Sequence, residues 1–457
     1  MAAMNLSPDL LPLPVAGPIH GPAHRRRRDA LAKAVLESNG QANALVIVGS
    51  GVELIRNRDS TFPFRFHSDF YYLTGFPEPE AWLVMVIAAN GDHQDLLFCR
   101  PRDPERETWD GVRVGPDRAA QLFHMDRAHP HTLLDEEIKD HLKNCATLVL
   151  PLSASAEMDQ RTRGWMDQAR SQARGGITAP HQFLDAGDLV ASLRLIKDEA
   201  ERQTMAQAAA ISAAGHVRAM QSTRPGLAEY EIEAGLLADF RRAGSQSVAY
   251  ASIVASGPHS CILHHRAGDR RMQDGEMLLI DAGCELDGYA SDITRSFPVS
   301  GRFSQAQADC YGLVLAAQEA AIEATCPGAA FTEPHDAAVR VLAQGMLDLH
   351  LLPTQSVDAA IESGAYKRFY MHRTGHWLGL DVHDVGDYRR RLSPGMVLTI
   401  EPGLYIQPAT DIPEAFWNIG IRIEDDAVVT PKGCDLLTRG VPVAIDAIED
   451  LMAQACP

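Results

Sequence analysis

The stretch Gly275-Glu-Met-Leu-Leu-Ile280-Asp281-Ala-Gly283, continued by Gly288-Tyr-Ala-Ser-Asp292, recurs later in the chain. The second copy is Gly395-Met-Val-Leu-Thr-Ile400-Glu401-Pro-Gly403, continued by Gly420-Ile-Arg-Ile-Glu424. Both fit Gly-x4-Ile-[Asp/Glu]-x-Gly followed by Gly-x3-[Asp/Glu], and only the connecting loop is longer in the second. In each, an apolar run of strand length ends on a carboxylate and glycines follow, so each reads as a hairpin. Helical patterns precede both: a long amphipathic helix from Leu193 through about Gln221 and a second from Glu229 to about Gly244, then helices at about 304–325 and 334–349. This region therefore reads as helix-helix-hairpin twice over. Such a repeat predicts a pseudo-twofold fold in which Asp281 is the mate of Glu401 and Asp292 the mate of Glu424.

A carboxylate at the end of an apolar strand is partly buried, where an unpaired charge is costly. It protonates, pairs or coordinates a metal. If the repeat brings the hairpins together, Asp281, Asp292, Glu401 and Glu424 converge with a charge of −4, which two divalent cations balance and one does not. The alternative is that they pair with Arg295 and Arg422 or sit in water at hairpin ends. A histidine motif between the copies favours metal. Met371-His372-Arg-Thr-Gly-His376-Trp-Leu-Gly-Leu-Asp-Val-His383-Asp384 holds three histidines within twelve residues. Gly375 and Gly379 argue against a regular helix there, and no Glu follows His372, so a thermolysin-like zinc helix is a poor match. Imidazole among hard oxygen ligands suits manganese, cobalt, iron or zinc better than calcium or magnesium. Two such ions generate a hydroxide at neutral pH and polarise a carbonyl, which serves hydrolysis of an amide or a phosphoester.

The 457-residue length predicts two domains. A net charge of −18 disfavours nucleic acid as a partner. The one basic run, Arg25–Arg28, reads as a solvated helix face. Eight scattered cysteines without a Cys-x-x-Cys pair fit a reducing cytoplasm. The longest apolar run, 81–89, is too short to span a membrane. Residues 1–22 read as a loose N-terminal tail. Residues 23–188 read as an α/β domain, with strands at 44–48, 81–89, 95–99 and 146–150 and helices at 24–37, 116–123 and 134–142. Residues 189–457 read as a second domain that carries the repeated acids and the histidine motif.

The set Asp281, Asp292, His376, Glu401 and Glu424 resembles the five-ligand signature of the pita-bread metallopeptidases, which include methionine aminopeptidase, prolidase and aminopeptidase P. The words Ile262-Leu-His264, Asp281-Ala-Gly-Cys-Glu285, Gly288-Tyr-Ala-Ser-Asp-Ile-Thr-Arg295, His376-Trp-Leu-Gly-Leu-Asp-Val-His-Asp-Val-Gly386, Glu401-Pro-Gly-Leu-Tyr405 and Gly420-Ile-Arg-Ile-Glu-Asp-Asp426 are most similar to bacterial aminopeptidase P. In the first domain, Arg56-Asn-Arg-Asp-Ser60, Ser68-Asp-Phe-Tyr-Tyr-Leu-Thr-Gly-Phe76 and Glu78-Pro-Glu80 are similar to that family's N-terminal domain.

The resemblance implies an α/β protein: an N-terminal α/β domain with a mixed sheet and a C-terminal pita-bread domain. It implies an Xaa-Pro aminopeptidase with two divalent ions, manganese first and cobalt, iron or zinc as alternatives. Asp292 and Glu424 would bridge the ions, Asp281 would complete one shell, and His376 and Glu401 the other. Glu401 would also accept the attacking water's proton. His383 would stabilise the oxyanion, His264 or His372 would contact proline or the leaving nitrogen, and Arg422 would line the pocket. Asp59 and Trp109 match residues that reach a neighbouring subunit's active site, implying a homodimer or homotetramer. Prolidase, a dipeptidase with the same metals, is the alternative enzyme, and a metal-free binding protein on the same fold is the alternative class. The segment Arg389-Arg-Arg391 departs from the family pattern, and the resemblance implies that one of these arginines helps shape the pocket.

Overall fold

The computed structural model describes residues 21–152, 156–354 and 356–454. The chain forms two compact units, Met1–Arg194 and Leu195–Pro457. Of the expected tail, residues 1–20 lie outside the described residues.

The first unit is built on a six-stranded mixed sheet. Its strands lie in the order Arg127–Pro130, His93–Cys99, Trp82–Ile87, Ala44–Gly49, Thr147–Leu150, Gln182–Asp185. The central pairings of 82–87 with both neighbours are antiparallel, and the outer three are parallel. Ala44–Val48 is buried throughout, as a continuous apolar run in a covered central strand should be. The basic run corrects the sequence reading. Arg28 is fully buried: its Nε donates to Asp95 Oδ2 at 2.5 Å, its Nη1 to Leu73 O and its Nη2 to His124 O. Arg27 is buried as well.

In the second unit the two helix pairs are Glu199–Ser222 with Glu229–Arg242, and Gln305–Ala324 with Glu333–Asp348. Each is followed by a hairpin. The single helix expected from Leu193 is instead interrupted: one helix ends at Arg194 and the next begins at Glu199. Asp198 caps the new helix in a capping box with Glu201. Just before it, Lys197 is buried and donates to Asp384 Oδ2 at 2.9 Å. A solvated helical lysine at 197 would forfeit that partner.

The repeat is visible in the strand pairing. Met277–Asp281 pairs antiparallel with Thr294–Pro298, and Val397–Ile400 with Asp425–Thr430. The registers are not identical. Asp281 lies opposite Thr294, two residues beyond Asp292. In the second copy the pairs Ile400↔Asp425 and Gly403↔Arg422 share one register, which runs Glu401 opposite Glu424. A shift of two residues keeps side chains on the same face, so both copies still present their two acids together. Gly283 makes the first hairpin possible, since a Cβ there would lie 1.7 Å from Ser291 O.

Candidate metal centre

The two hairpins are stitched together by a backbone hydrogen bond and by the Ser296 hydroxyl. Glu424 N donates to Thr294 O, Arg422 N to Ser296 Oγ, and Ser296 Oγ to Arg422 O. Arg295, fully buried, donates to Glu424 O and to Asp425. Arg295 thus pairs with Asp425 and leaves the four repeat acids to the cavity. That cavity measures about 830 Å³, and Asp281, Asp292, His376, Glu401 and Glu424 all line it.

Asp292, His376 and Glu424 present ligand atoms within 4.8 Å of one another. His376 Nε2 lies 3.5 Å from Asp292 Oδ2 and 3.8 Å from Glu401 Oε1. Its other nitrogen, Nδ1, donates to Trp377 O at 3.0 Å. That bond fixes the tautomer and turns the Nε2 lone pair toward the acids, the orientation a ligating histidine needs. Gly375 lets the segment come close enough: a Cβ there would lie 2.1 Å from Thr399 O. His376 and Thr399 then exchange hydrogen bonds across this contact.

The electrostatics describe acids crowded without enough positive charge. Burial, reinforced by Asp292 and Glu401, pushes Glu424 well above the usual carboxylate range. Burial raises Asp292 against the pull of His376, and raises Glu401 to about 7. Burial opposes the charge on His376, but Asp292 and Glu401 lift it to about 9. One hydroxyl, Tyr250 OH, sits 2.5 Å from both Asp281 Oδ1 and Asp292 Oδ1, and its single hydrogen serves only one of them. Asp426 holds Asp292 N with one oxygen, and its other oxygen is buried without a hydrogen-bond partner. Three buried acids, the half-buried Glu401, an oriented imidazole and incompletely satisfied oxygens fit divalent cations in chemistry and in number of donors. Asp281, Asp292, His376, Glu401 and Glu424 are the residues able to hold them.

Arg422 alters the charge account made from sequence. Its Nη2 donates to Asp281 Oδ2 at 2.6 Å and its Nη1 to Tyr405 OH at 2.8 Å. Four acids and this guanidinium sum to −3. Charge alone then selects two cations only if a hydroxide or a substrate anion accompanies them.

The flanking residues are placed as follows. His264, His372, His383 and Arg422 line the same cavity. Because Arg422 donates to Tyr405 OH, that hydroxyl is free to donate to His372 Nε2, 2.8 Å away. His372 Nδ1 in turn donates to Arg373 O at 2.7 Å. His372 is therefore a neutral ring, and burial with Arg422 nearby holds its pKa down to about 3. The His383 ring meets His376 edge to face at 4.4 Å. Of the segment 388–391, Tyr388 lines the cavity, while Arg389 faces solvent on Asp387 and Arg391 donates to Gly328 O. In the first unit, Trp109 is 86% exposed and Asp59 is exposed. Sequence reasoning missed Tyr250, which lies in a loop before the strand Ile253–Ser256 and carries no motif. It also missed His335, Phe331 and Tyr388, which complete the cavity wall.

Residues 203–431 match Metallopeptidase family M24, and residues 24–150 match the Aminopeptidase P, N-terminal domain. The chain belongs to family M24, in its aminopeptidase P branch. It is 43% identical over 417 residues to an Xaa-Pro aminopeptidase of Haemophilus influenzae, covering 90% of this chain and 94% of the relative. It is 39% identical over 435 residues to the Xaa-Pro aminopeptidase of Escherichia coli, covering 94% and 97%. Among solved structures, the Pseudomonas aeruginosa aminopeptidase PepP superposes with a TM-score of 0.91 at 46% identity, over 96% of this chain and 99% of that one. The aminopeptidase P branch, not prolidase, is the one these comparisons select. The chain is accordingly a metallopeptidase with a pita-bread catalytic domain. No helix among the described residues is long and apolar enough to cross a membrane.

Proposed function

We propose that the protein removes the N-terminal residue from peptides whose second residue is proline, using two divalent ions, manganese first. The observation that carries the reading is the convergence of Asp281, Asp292, His376, Glu401 and Glu424 in one cavity, with His376 Nε2 aimed at the acids. Asp281, Asp292, His376, Glu401 and Glu424 would hold the ions, with Asp292 and Glu424 central to the set. When bound, the ions polarise the scissile carbonyl and make water a competent nucleophile at neutral pH.

The chain's own residues do the rest. Glu401 takes the proton of the attacking water and returns it toward the leaving nitrogen. His383 donates to the oxygen of the scissile carbonyl as charge builds there. His264 and the neutral His372 flank the leaving nitrogen and the proline. Phe331, Val382, Tyr388 and Leu398 supply an apolar wall for its ring. An Xaa-Pro bond offers no N–H, so a site that grips the carbonyl and the ring loses nothing by that absence. Arg422 keeps Asp281 and Tyr405 in position.

Asp59 and the exposed Trp109 are assigned to contact with a neighbouring subunit's cavity, in a homodimer or homotetramer. Seven described cysteines are free thiols, which supports a reducing cytoplasm. Peptide is the partner this chemistry implies, and the acidic net charge supports neither nucleic acid nor anionic membrane.

The test compares matched substrates with manganese present: an Xaa-Pro-Xaa tripeptide, the Xaa-Pro dipeptide, and a tripeptide with alanine in place of proline. The expected result is release of the first residue from the proline tripeptide well above the other two. Cleavage confined to the dipeptide, or indifference to proline, would overturn the assignment.

A further inference from the structure

A second cluster of ligand atoms lies outside the centre just described and shares no residue with it. The segment after the strand Ile253–Ser256 runs as a 3-10 turn, Gly257–Cys261, and then carries Leu263 and His264 into the cavity wall. Its two flanks return to one carboxylate. Glu229, the fully buried first residue of the helix Glu229–Arg242, accepts on Oε1 from Ser256 N, Ser256 Oγ and His259 Nδ1 at 2.9, 2.8 and 2.9 Å. Its Oε2 accepts from His265 Nε2 at 2.8 Å and Gly268 N at 3.2 Å. The two rings face each other, with centroids 4.1 Å apart and planes tilted by 31°. Neither ring lines the cavity that holds His264.

The cluster offers one carboxylate and two imidazoles, each with a ring nitrogen aimed at it. Arg270, which donates to the same Ser256 Oγ, has its own carboxylate partner in Glu276 and leaves Glu229 to the rings. Burial works against the Glu229 charge, yet the donations from His265, Ser256 and His259 keep its pKa below the ordinary value. This is a three-ligand nitrogen and oxygen set of the kind zinc takes, with a fourth position left for water. The side chains of His259 and His265 are 31% and 14% exposed, which gives that water a way in.

The size is close to what an ion needs. A tetrahedral ion with bonds of about 2.05 Å separates its ligand atoms by about 3.3 Å. At present His259 Nδ1 lies 2.9 Å from Oε1 and His265 Nε2 lies 2.8 Å from Oε2 of Glu229. One ligand atom from each of the three residues already lies within 4.8 Å of the others, and side-chain rotation gathers them around an ion. In the exchange each ring gives up its N–H toward Glu229 and carries its hydrogen on the outer nitrogen. For neutral rings this exchange gains and loses no proton. Ser256 and Gly268 stay on the carboxylate as outer hydrogen bonds that hold its orientation.

We propose that Glu229, His259 and His265 form an auxiliary site for one borderline divalent cation, zinc first, at the root of the loop that carries His264. Occupancy ties residues 259 and 265 together and so fixes the reach of His264 into the cavity. The test uses zinc itself and the full-length protein. Crystals grown with zinc chloride, measured above and below the zinc absorption edge, are expected to show an anomalous peak about 2 Å from Glu229, His259 and His265. Zinc at the Asp281–Glu424 centre with none at this locus would overturn the proposal. In solution, the H259A/H265A variant should retain one zinc fewer per chain than the wild type after gel filtration, and equal counts would overturn it. The difference does not depend on how many ions the other centre holds, so a failure of the two-metal reading leaves this test intact. If the double variant does not fold, the wild-type anomalous map decides alone.

Discussion

Replacing Lys197 by methionine removes one half of an ion pair that is sealed from water. Lys197 Nζ and Asp384 Oδ2 are 2.9 Å apart, and both side chains are 1% exposed. The pair is packed hard against Gly379, where a Cβ would lie 2.2 Å from Asp384 Oδ2 and 3.0 Å from Lys197 Cε. Water has no room to replace the ammonium. Breaking such a pair from one side costs about 3–5 kcal/mol, chiefly the uncompensated carboxylate. Asp384 has a further partner, so the lower end, about 3 kcal/mol, is expected for Lys197→Met. For a unit of this size that is a fall in Tm of roughly 6–12 °C. The double variant K197M/D384L removes both charges with similar volume and should recover most of the loss. Differential scanning calorimetry at one fixed manganese concentration measures both, because bound metal shifts Tm by mass action. A single variant within about 2 °C of wild type, or a double variant no better than the single, would refute the sealed-pair argument. The pair bears on the site as well, since Asp384 N donates to Trp377 O and so closes the turn between His376 and His383.

Metal-free protein should lose stability as pH rises from 5 to 9. His376, lifted to about 9 from its ordinary 6.5, contributes stability that is complete below pH 6.5 and gone above 9. Glu401, lifted to about 7 from 4.5, contributes with the same sign between pH 4.5 and 7. Manganese should abolish this slope, because it takes the deprotonated ligands. Thermal unfolding across the range checks it, and a Tm of the metal-free protein that climbs with pH would contradict it. His383→Ala should lower kcat by about 10²–10³ while bound metal per chain stays at the wild-type count, if its role is donation to the oxyanion. Steady-state kinetics beside metal analysis separates that role from ligation, which would lower both.

The site was legible in the sequence where local pattern and chemistry coincide. The acids of the repeat stand at fixed offsets from glycines and apolar strands, so their convergence followed once the two copies were recognised. The register shift between copies was not legible, because two-residue slippage preserves the face and leaves the pattern unchanged. Residues whose burial depends on distant partners were also hidden. Arg28 read as solvated because Asp95 lies 67 residues away, and the helix break at Lys197 depends on Asp384, 187 residues on. Tyr250 carries no periodic or motif signal, and only the folded loop places its hydroxyl between Asp281 and Asp292. Arg422 had two credible uses from its place in the second copy, pairing with an acid or lining the pocket, and in the fold it has both contacts.

The most direct test of the central claim is a titration of metal-free protein with manganese, reading bound metal and cleavage of an Xaa-Pro-Xaa tripeptide on the same samples. The account predicts negligible activity without metal, release of the first residue as metal binds, and a maximum at two ions per chain. Full activity in the stripped protein, or saturating metal with no cleavage of the proline tripeptide, would contradict it.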